Sequence, residues 1–261
     1  MAKRRIDALL AERGLAGSRT SAAASVRAGR VRVGRGGEVA AKPSQLVAED
    51  VELSLEEGLE FVSRGGVKLA NALDALGLEV AGRRCLDVGA STGGFTDCLL
   101  KRGAAEVVAL DVGRGQLDWT LRNDSRVTVI EGANARELAP DELPYAPDLA
   151  TIDVSFISLA KVLPAVARCL AERGDVLALV KPQFELDRRR IGKGGVVRSA
   201  EDRREALRTA ARAADEAGLG VEGFASSGLP GPKGNRESFI WAERGAEPSR
   251  DIEAAIEAVE P

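Results

Sequence analysis

Arg84-Cys-Leu-Asp-Val-Gly-Ala-Ser-Thr-Gly-Gly-Phe-Thr-Asp97 reads as a buried strand, Arg84–Val88, that runs into a glycine-rich turn and opens a helix at Gly94. Open α/β sheets hold nucleotide-like ligands with that succession, because the first amides of the helix and its dipole face the ligand. The turn glycines are expected to let the backbone close on the ligand, where a Cβ would collide with it. The candidate contacts are Asp87, Gly89, Ala90, Ser91, Thr92, Gly93, Gly94 and Phe95. The run is not a clean G-x-G-x-x-G, so a dinucleotide reading is weak.

Outward from this stretch, strand and helix patterns alternate. Strands are predicted at Arg84–Val88, Val107–Asp111, Val127–Glu131, Asp148–Asp153, Val176–Val180, Val221–Ser226 and Phe239–Ala242. Helices are predicted at Val67–Leu78, Gly94–Lys101, Gln116–Leu121, Ser158–Leu170 and Ala200–Ala217. Such alternation implies a mostly parallel sheet covered on both faces. The last two strands are separated only by a Gly/Pro-rich turn, Gly228–Asn235, which makes the final pair antiparallel.

Ligands of open α/β sheets bind at the carboxyl ends of the strands. Asp111 ends the second strand, where a carboxylate can accept both hydroxyls of a ribose; NAD would tolerate it as well. Asn134 and Ala135 follow the third strand, and Asn134 could bond an adenine edge or cap a turn. Asp153 and Lys181 follow the next two, so neighbouring strand ends bring a carboxylate and an amine together. A lysine held between apolar walls and a carboxylate can serve as a base. Glu237 lies at the mouth of the final strand, and Lys68 falls in the first turn of its helix, against the helix dipole.

Composition limits the chemistry. The 261 residues contain no histidine, which excludes a Ser-His-Asp triad, a Cys-His pair and a His-ligated zinc site. The three cysteines, Cys85, Cys98 and Cys169, match no metal-site spacing and read as buried free thiols. No apolar run approaches the ~20 residues of a membrane span, and no signal-peptide core follows Met1, so the expectation is a soluble, cytoplasmic protein. Net charge is −3, but residues 1–47 carry +7 and the remainder −10. A basic head on an acidic body points to a polyanionic partner.

That head begins with a helix pattern over residues 3–13, stopped by Gly14, and a second over Arg19–Ala28. The alternating strand Arg30-Val31-Arg32-Val33 follows, then a turn, Leu46-Val47 and Val51–Leu53. The runs RIDALLAERGLAGSR, AGRVRVG and AKPSQLV resemble an S4 RNA-binding domain. That resemblance implies an RNA face made by Arg5, Arg19, Arg27, Arg30 and Arg32.

The large domain resembles the class I S-adenosylmethionine-dependent methyltransferase fold, with Ser91 in place of the middle glycine of its D-x-G-x-G-x-G motif. Lys68, Asp153, Lys181 and Glu237 resemble the K-D-K-E set of FtsJ/RrmJ-type 2′-O-ribose methyltransferases. With the S4-like head, and with SRGGVKL (63–69), DVGASTGGFTD (87–97), IDVSFISL (152–159) and VKPQFE (180–185), the whole length resembles the TlyA family. The resemblance implies methyl transfer from S-adenosylmethionine to cytidine 2′-hydroxyls of ribosomal RNA, without a metal. It implies Lys181 as base or alkoxide stabiliser, Asp153 as its orienting partner beside the cofactor, and Glu237 and Lys68 as holders of the ribose. The expected layout is an S4-like domain over 1–58, a linker over 59–66, the catalytic domain over 67–244 and a polar tail over 245–261. Arg64, and Arg188, Arg189 and Arg190 in the Gly-rich loop after Lys181, are further candidates for RNA contact. The rival readings are an RNA-binding or ribosome-assembly factor without catalysis, and a haemolysin.

Overall fold

The structure, a computed structural model, describes residues 3–27, 31–55, 60–231, 233–246 and 251–260, without the side chains of 21, 24 and 27. It divides into two compact units, Met1–Glu60 and Phe61–Pro261.

In the first unit, strand β1 (Lys3–Arg5) leads into helices α1 (Ile6–Glu12) and α2 (Arg19–Arg27). Short strands β2 (Val31–Val33), β3 (Glu38–Val39), β4 (Leu46–Ala48) and β5 (Leu53–Leu55) follow. β1 pairs antiparallel with β4, and β2 is the centre of a three-stranded sheet, β3-β2-β5. The helix expected from residue 3 therefore starts only at Ile6. Residues 3–5 gain ladder partners in Leu46–Ala48, a distant pairing that outweighs local helix propensity. Ile6, Leu9 and Leu10 are buried with Val26, Val31 and Val47.

The second unit opens on α3 (Arg64–Leu76). Next come β6 (Arg84–Val88), α4 (Gly94–Lys101), β7 (Glu106–Asp111), α5 (Trp119–Arg122), β8 (Val127–Glu131), β9 (Leu149–Ile152) and α6 (Leu163–Cys169). They are followed by β10 (Asp175–Val180), α7 (Pro182–Glu185), α8 (Ala200–Glu216), β11 (Leu219–Ser226), β12 (Ser238–Arg244) and α9 (Ile252–Val259). One seven-stranded sheet runs β11-β12-β10-β9-β6-β7-β8, with β12 antiparallel to both neighbours and β10 to β8 parallel. This is the mostly parallel sheet with an antiparallel last pair that the alternation predicts, in the layout that the methyltransferase resemblance implies.

Both faces of the sheet are apolar, as a parallel sheet under helices requires. Along β10, Val176, Ala178 and Val180 enter one core cluster with α6 and α8, while Leu177 and Leu179 enter the other with α3 and α4. α8 turns Ala206, Ala210, Ala211, Ala213 and Ala214 inward, small side chains that let it lie close to the sheet. All three cysteines are buried and outside any disulfide.

Two segments differ from the expected layout. Residues 61–66 are part of the second unit rather than a linker: Phe61 is buried, the Val62 amide donates to Asp97 (2.8 Å), and Ser63 caps α3 through the Gly65 amide. A Cβ on Gly66 would overlap the Phe61 ring, so this glycine is what lets α3 begin there. The polar tail contains α9, whose Ile256 is fully buried beside Ile252 and Val259 on one helical face. Glu260 then forms a buried pair with Arg203 of α8 (2.8 Å). Six of the eight residues of this short helix are apolar, but its docking surface is formed only when the sheet folds.

Candidate active site

Four side chains meet at the carboxyl edge of the sheet. Asp153 directly follows β9, and its amide donates to the Val88 carbonyl of β6 (2.9 Å). Lys181 directly follows β10. Val180 is paired with Ser238, so one further step along this antiparallel ladder sets Lys181 opposite Glu237. The Lys181 Nζ lies 2.5 Å from Asp153 Oδ1 and donates to Ser155 Oγ at 3.0 Å. From α3, Lys68 Nζ donates to Glu237 Oε2 at 2.5 Å, and both side chains are almost wholly buried, at 9% and 1% exposure. The Lys68–Glu237 pair is thus more deeply buried than the Lys181–Asp153 pair. Glu237 Oε1 is buried without a hydrogen-bond partner, and Asp153 Oδ1 has only its ion contact. Buried acceptors left open in this way are rare outside sites that receive a further donor.

The turn after β6 packs closely against other parts of the chain. A Cβ on Gly89 would strike the Asp153 carbonyl, on Gly93 the Leu117 and Leu121 side chains, and on Gly94 the Ser63 hydroxyl and Gly66 amide. These glycines make room for the chain's own packing, between α4, α3 and the β9 end. Ser91 occupies the left-handed region at φ 48°, exposed to solvent with Thr92, and Ala90 is buried. The Ser91 amide donates to Asp111 Oδ2 (2.7 Å) and the Gly113 amide to Asp111 Oδ1 (2.6 Å). A carboxylate has about four lone-pair sites, so Asp111 retains acceptor capacity toward the crevice.

The side chains of Asp87, Phe95 and Asn134 are engaged within the protein. Asp87 is fully buried and accepts from Thr96 Oγ1 at 2.6 Å and Thr151 Oγ1 at 3.5 Å, tying α4 and β9 to β6. Phe95 packs on Phe239 in the core. Asn134 closes a local turn, accepting from the Arg136 amide and guanidinium and donating to Glu137. Ala135 is half-buried against the core. Burial, reinforced by Asp153 and Asp111 against the opposing Thr96 hydroxyl, pushes the Asp87 carboxyl up to about 7. An exposed aspartate releases its proton near pH ~4, so the folded state binds the extra proton between about pH 4 and 7 and loses stability as pH rises through that window. Asp87→Asn, which keeps the shape and removes the titration, is expected to flatten this decline. The difference is of the order of a few kcal/mol, at about 1.4 kcal/mol per tenfold change in proton affinity. Urea unfolding at a series of pH values reads it, and equal slopes for the two proteins would disprove the assignment.

The comparisons with known proteins agree with this geometry. The FtsJ-like methyltransferase family model matches residues 61–244, and the S4 domain model matches residues 4–53. The 16S/23S rRNA (cytidine-2′-O)-methyltransferase TlyA of Mycobacterium tuberculosis is 51% identical over 92% of this chain and 90% of its own. The chain belongs to the TlyA family of FtsJ-like methyltransferases. Hemolysin A of Brachyspira hyodysenteriae is 39% identical, over 89% of this chain and 97% of that one. A solved structure from Streptococcus thermophilus, provisionally designated a hemolysin, superimposes with a TM-score of 0.76 at 42% identity, covering 99% of this chain and 94% of that one. Among the described residues no helix is long and apolar enough to cross a membrane, and no group of acidic or thiol side chains could hold a metal.

In this TlyA-family chain the predicted RNA-facing arginines divide. Arg5 and Arg19 both lean on the buried Asp7, at 2.7 and 3.5 Å, and remain about half exposed, with side-chain exposures of 45% and 59%. The Arg5 guanidinium holds the Asp7 carboxyl below the usual carboxylate range, against the opposing effect of burial. These two arginines therefore also anchor the start of α1. Arg32 is half-buried on β2, while Arg30 and the Arg27 side chain lie outside the described residues. Arg64 is exposed and donates to the Pro230 carbonyl (2.9 Å). Arg188, Arg189 and Arg190 form one exposed 3-10 turn, of which Arg190 pairs with Asp202 (2.7 Å).

Two residues beside the tetrad were not singled out from sequence. Ser155 positions the Lys181 amine, and Phe156 stands 90% exposed at φ 64°, its ring tilted against Phe184 at 5.3 Å. An aromatic residue in the left-handed region is a backbone outlier that folding alone does not favour. The signal was the F of the D-V-S-F run: a large apolar residue just past a strand end, where a turn ordinarily carries polar ones.

Proposed function

We propose that this chain methylates the 2′-hydroxyl of a cytidine in ribosomal RNA, with S-adenosylmethionine as the donor. The observation that carries the reading is the meeting of Lys181–Asp153 with Lys68–Glu237 at neighbouring strand ends of a methyltransferase sheet. The crevice suits the cofactor chemically. Asp111 keeps lone pairs for ribose hydroxyls, and Val112 beside it offers a 76% exposed apolar face to a purine. When bound, S-adenosylmethionine supplies an electrophilic methyl group.

The protein's part is to position the ribose and manage one proton. Lys181 takes the proton of the 2′-hydroxyl or stabilises the emerging alkoxide, since a neutral hydroxyl is a weak nucleophile. Asp153 and Ser155 hold Nζ from two sides, which limits the directions in which it can meet the hydroxyl. Glu237, fixed by Lys68, has Oε1 open as an acceptor for a ribose hydroxyl. Phe156 offers a ring for stacking an extruded base, the usual way in which proteins hold unpaired nucleotides. The S4 domain supplies affinity through phosphate contacts.

Incubation of the protein with methyl-labelled S-adenosylmethionine and isolated small or large ribosomal subunits tests the reading. Label on a cytidine 2′-oxygen is the expected result, located by nuclease digestion and mass spectrometry. Label on a base would overturn it. Binding without any transfer would favour an RNA-binding factor that lacks catalysis.

A further inference from the structure

Two loops meet at the mouth of this site through one buried amide. Asn235, 2% exposed, lies in the loop between β11 and β12, two residues before Glu237. Its Oδ1 accepts from the Val197 amide and its Nδ2 donates to the Gly195 carbonyl, both at 2.8 Å. Its own backbone carbonyl accepts from the Gly231 amide, also at 2.8 Å. The segment after α7 is thus tied to the segment that bears Glu237. Gly194 and Gly195 have φ of 80° and 82°, a conformation that L side chains rarely adopt, and this double left-handed turn presents a carbonyl and an amide to the same side chain. Lys233 Nζ comes within 3.9 Å of where a Gly195 Cβ would stand, so the two loops adjoin beyond the amide as well.

Both loops are basic. Arg188, Arg189, Lys193 and Arg198 on one, and Lys233 and Arg236 on the other, are exposed. Among the described residues, the one ion pair made by the cations of these loops is Arg190–Asp202. Like charges brought together without counter-charges repel, and a bound polyanion relieves that repulsion.

We propose that Asn235 is a positioning residue that staples these loops into one rim for RNA phosphates, with Lys233 and Arg236 as phosphate contacts. The inference rests on the reading of the chain as an RNA 2′-O-methyltransferase. Because the staple and Glu237 share one short segment, a phosphate gripped by the rim is held in register with the ribose at Lys181. The rim also accounts for a fully buried asparagine whose amide is spent entirely on loop backbone.

Three variants, Asn235→Ala, Lys233→Ala and Arg236→Ala, test this with isolated ribosomal subunits as the probe. Each of the two cation variants is expected to lower the slope of log affinity against log salt by about one, because one phosphate contact is lost. Their melting temperatures should stay at the parent value, since both side chains are exposed. Asn235→Ala is expected to raise KM for the subunits roughly tenfold and to hasten tryptic cleavage at 188–190, while kcat and the calorimetric Kd for S-adenosylmethionine change by less than about threefold. Unchanged salt slopes in both cation variants would overturn the rim. A fall in kcat or cofactor affinity of Asn235→Ala with KM unchanged would overturn the staple. Salt slopes come from filter binding and need no turnover, so a parent protein that binds subunits without methylating them defeats the catalytic reading and leaves the rim intact. Should Asn235→Ala fail to fold, the two exposed variants still decide the phosphate contacts.

Discussion

Lys181→Ala is expected to lower kcat for methyl transfer by roughly 10²–10⁴-fold, the usual contribution of a positioned acid–base group. Cofactor affinity should remain close to the parent value, because Lys181 is engaged with Asp153 and Ser155 rather than with Asp111 or the turn after β6. Lys181→Arg separates the two roles open to this lysine. A guanidinium keeps the positive charge but does not release its proton in proteins. Residual activity well above that of the alanine variant would assign Lys181 to alkoxide stabilisation, and loss equal to alanine would assign it to proton removal. Transfer undiminished in Lys181→Ala would remove it from the mechanism. Single-turnover labelling of isolated ribosomal subunits reads all three outcomes.

The second large effect concerns stability as much as activity. Lys68→Met leaves the Glu237 carboxylate buried, at 1% side-chain exposure, with no counter-charge. Breaking a buried pair on one side typically costs about 3–5 kcal/mol, because an ion is left without solvent or partner. Lys68→Met combined with Glu237→Gln removes both charges and is expected to recover most of that loss, since buried pairs replaced whole are often near neutral. The double variant should nevertheless stay inactive, because the carboxylate and the lysine that orients it are both gone. Urea unfolding of both singles and the double closes the cycle. A single-variant cost below about 1 kcal/mol would mean that the pair behaves as a solvated one and does not hold α3 to the β12 end.

The strand ends that form the site were legible in the sequence because each lies where an apolar run stops. Asp153 after Leu149–Ile152 and Lys181 after Asp175–Val180 need only local pattern and the rule that ligands gather at carboxyl ends. Glu237 was placed by the turn-rich segment before it, which makes the last pair of strands antiparallel. Lys68 was the ambiguous member. An early lysine on a helix is ordinarily solvated, and only the packing of α3 turns it inward to Glu237.

Other features were out of reach of the sequence for a common reason: residue type is local, but what a residue faces is not. The turn glycines were read as room for a ligand, and their missing side chains also make room for the Asp153 carbonyl, Leu121 and Ser63, each remote in sequence or on another element. Asp87 was read as a contact in the same turn, and strand alternation carries it into the core against Thr96 and Thr151. Arg5 and Arg19 were placed on an RNA face by the S4 resemblance, without sight of the buried Asp7 on which both also converge. α9 and residues 61–66 were set apart as tail and linker because the apolar faces of such short stretches acquire meaning only against a completed sheet.

By itself the sequence determined the strand–helix alternation, the antiparallel end of the sheet, the basic head and the positions of Asp153, Lys181 and Glu237 at the strand ends, since all of these follow from short-range periodicity and composition, while Lys68 joined them through the family resemblance. Only the tertiary structure decided which carboxylates are buried, which cations are already paired, and how Asn235 joins two loops around Glu237. Those properties arise where surfaces distant along the chain come into contact, and there a charge or a glycine gains its partner.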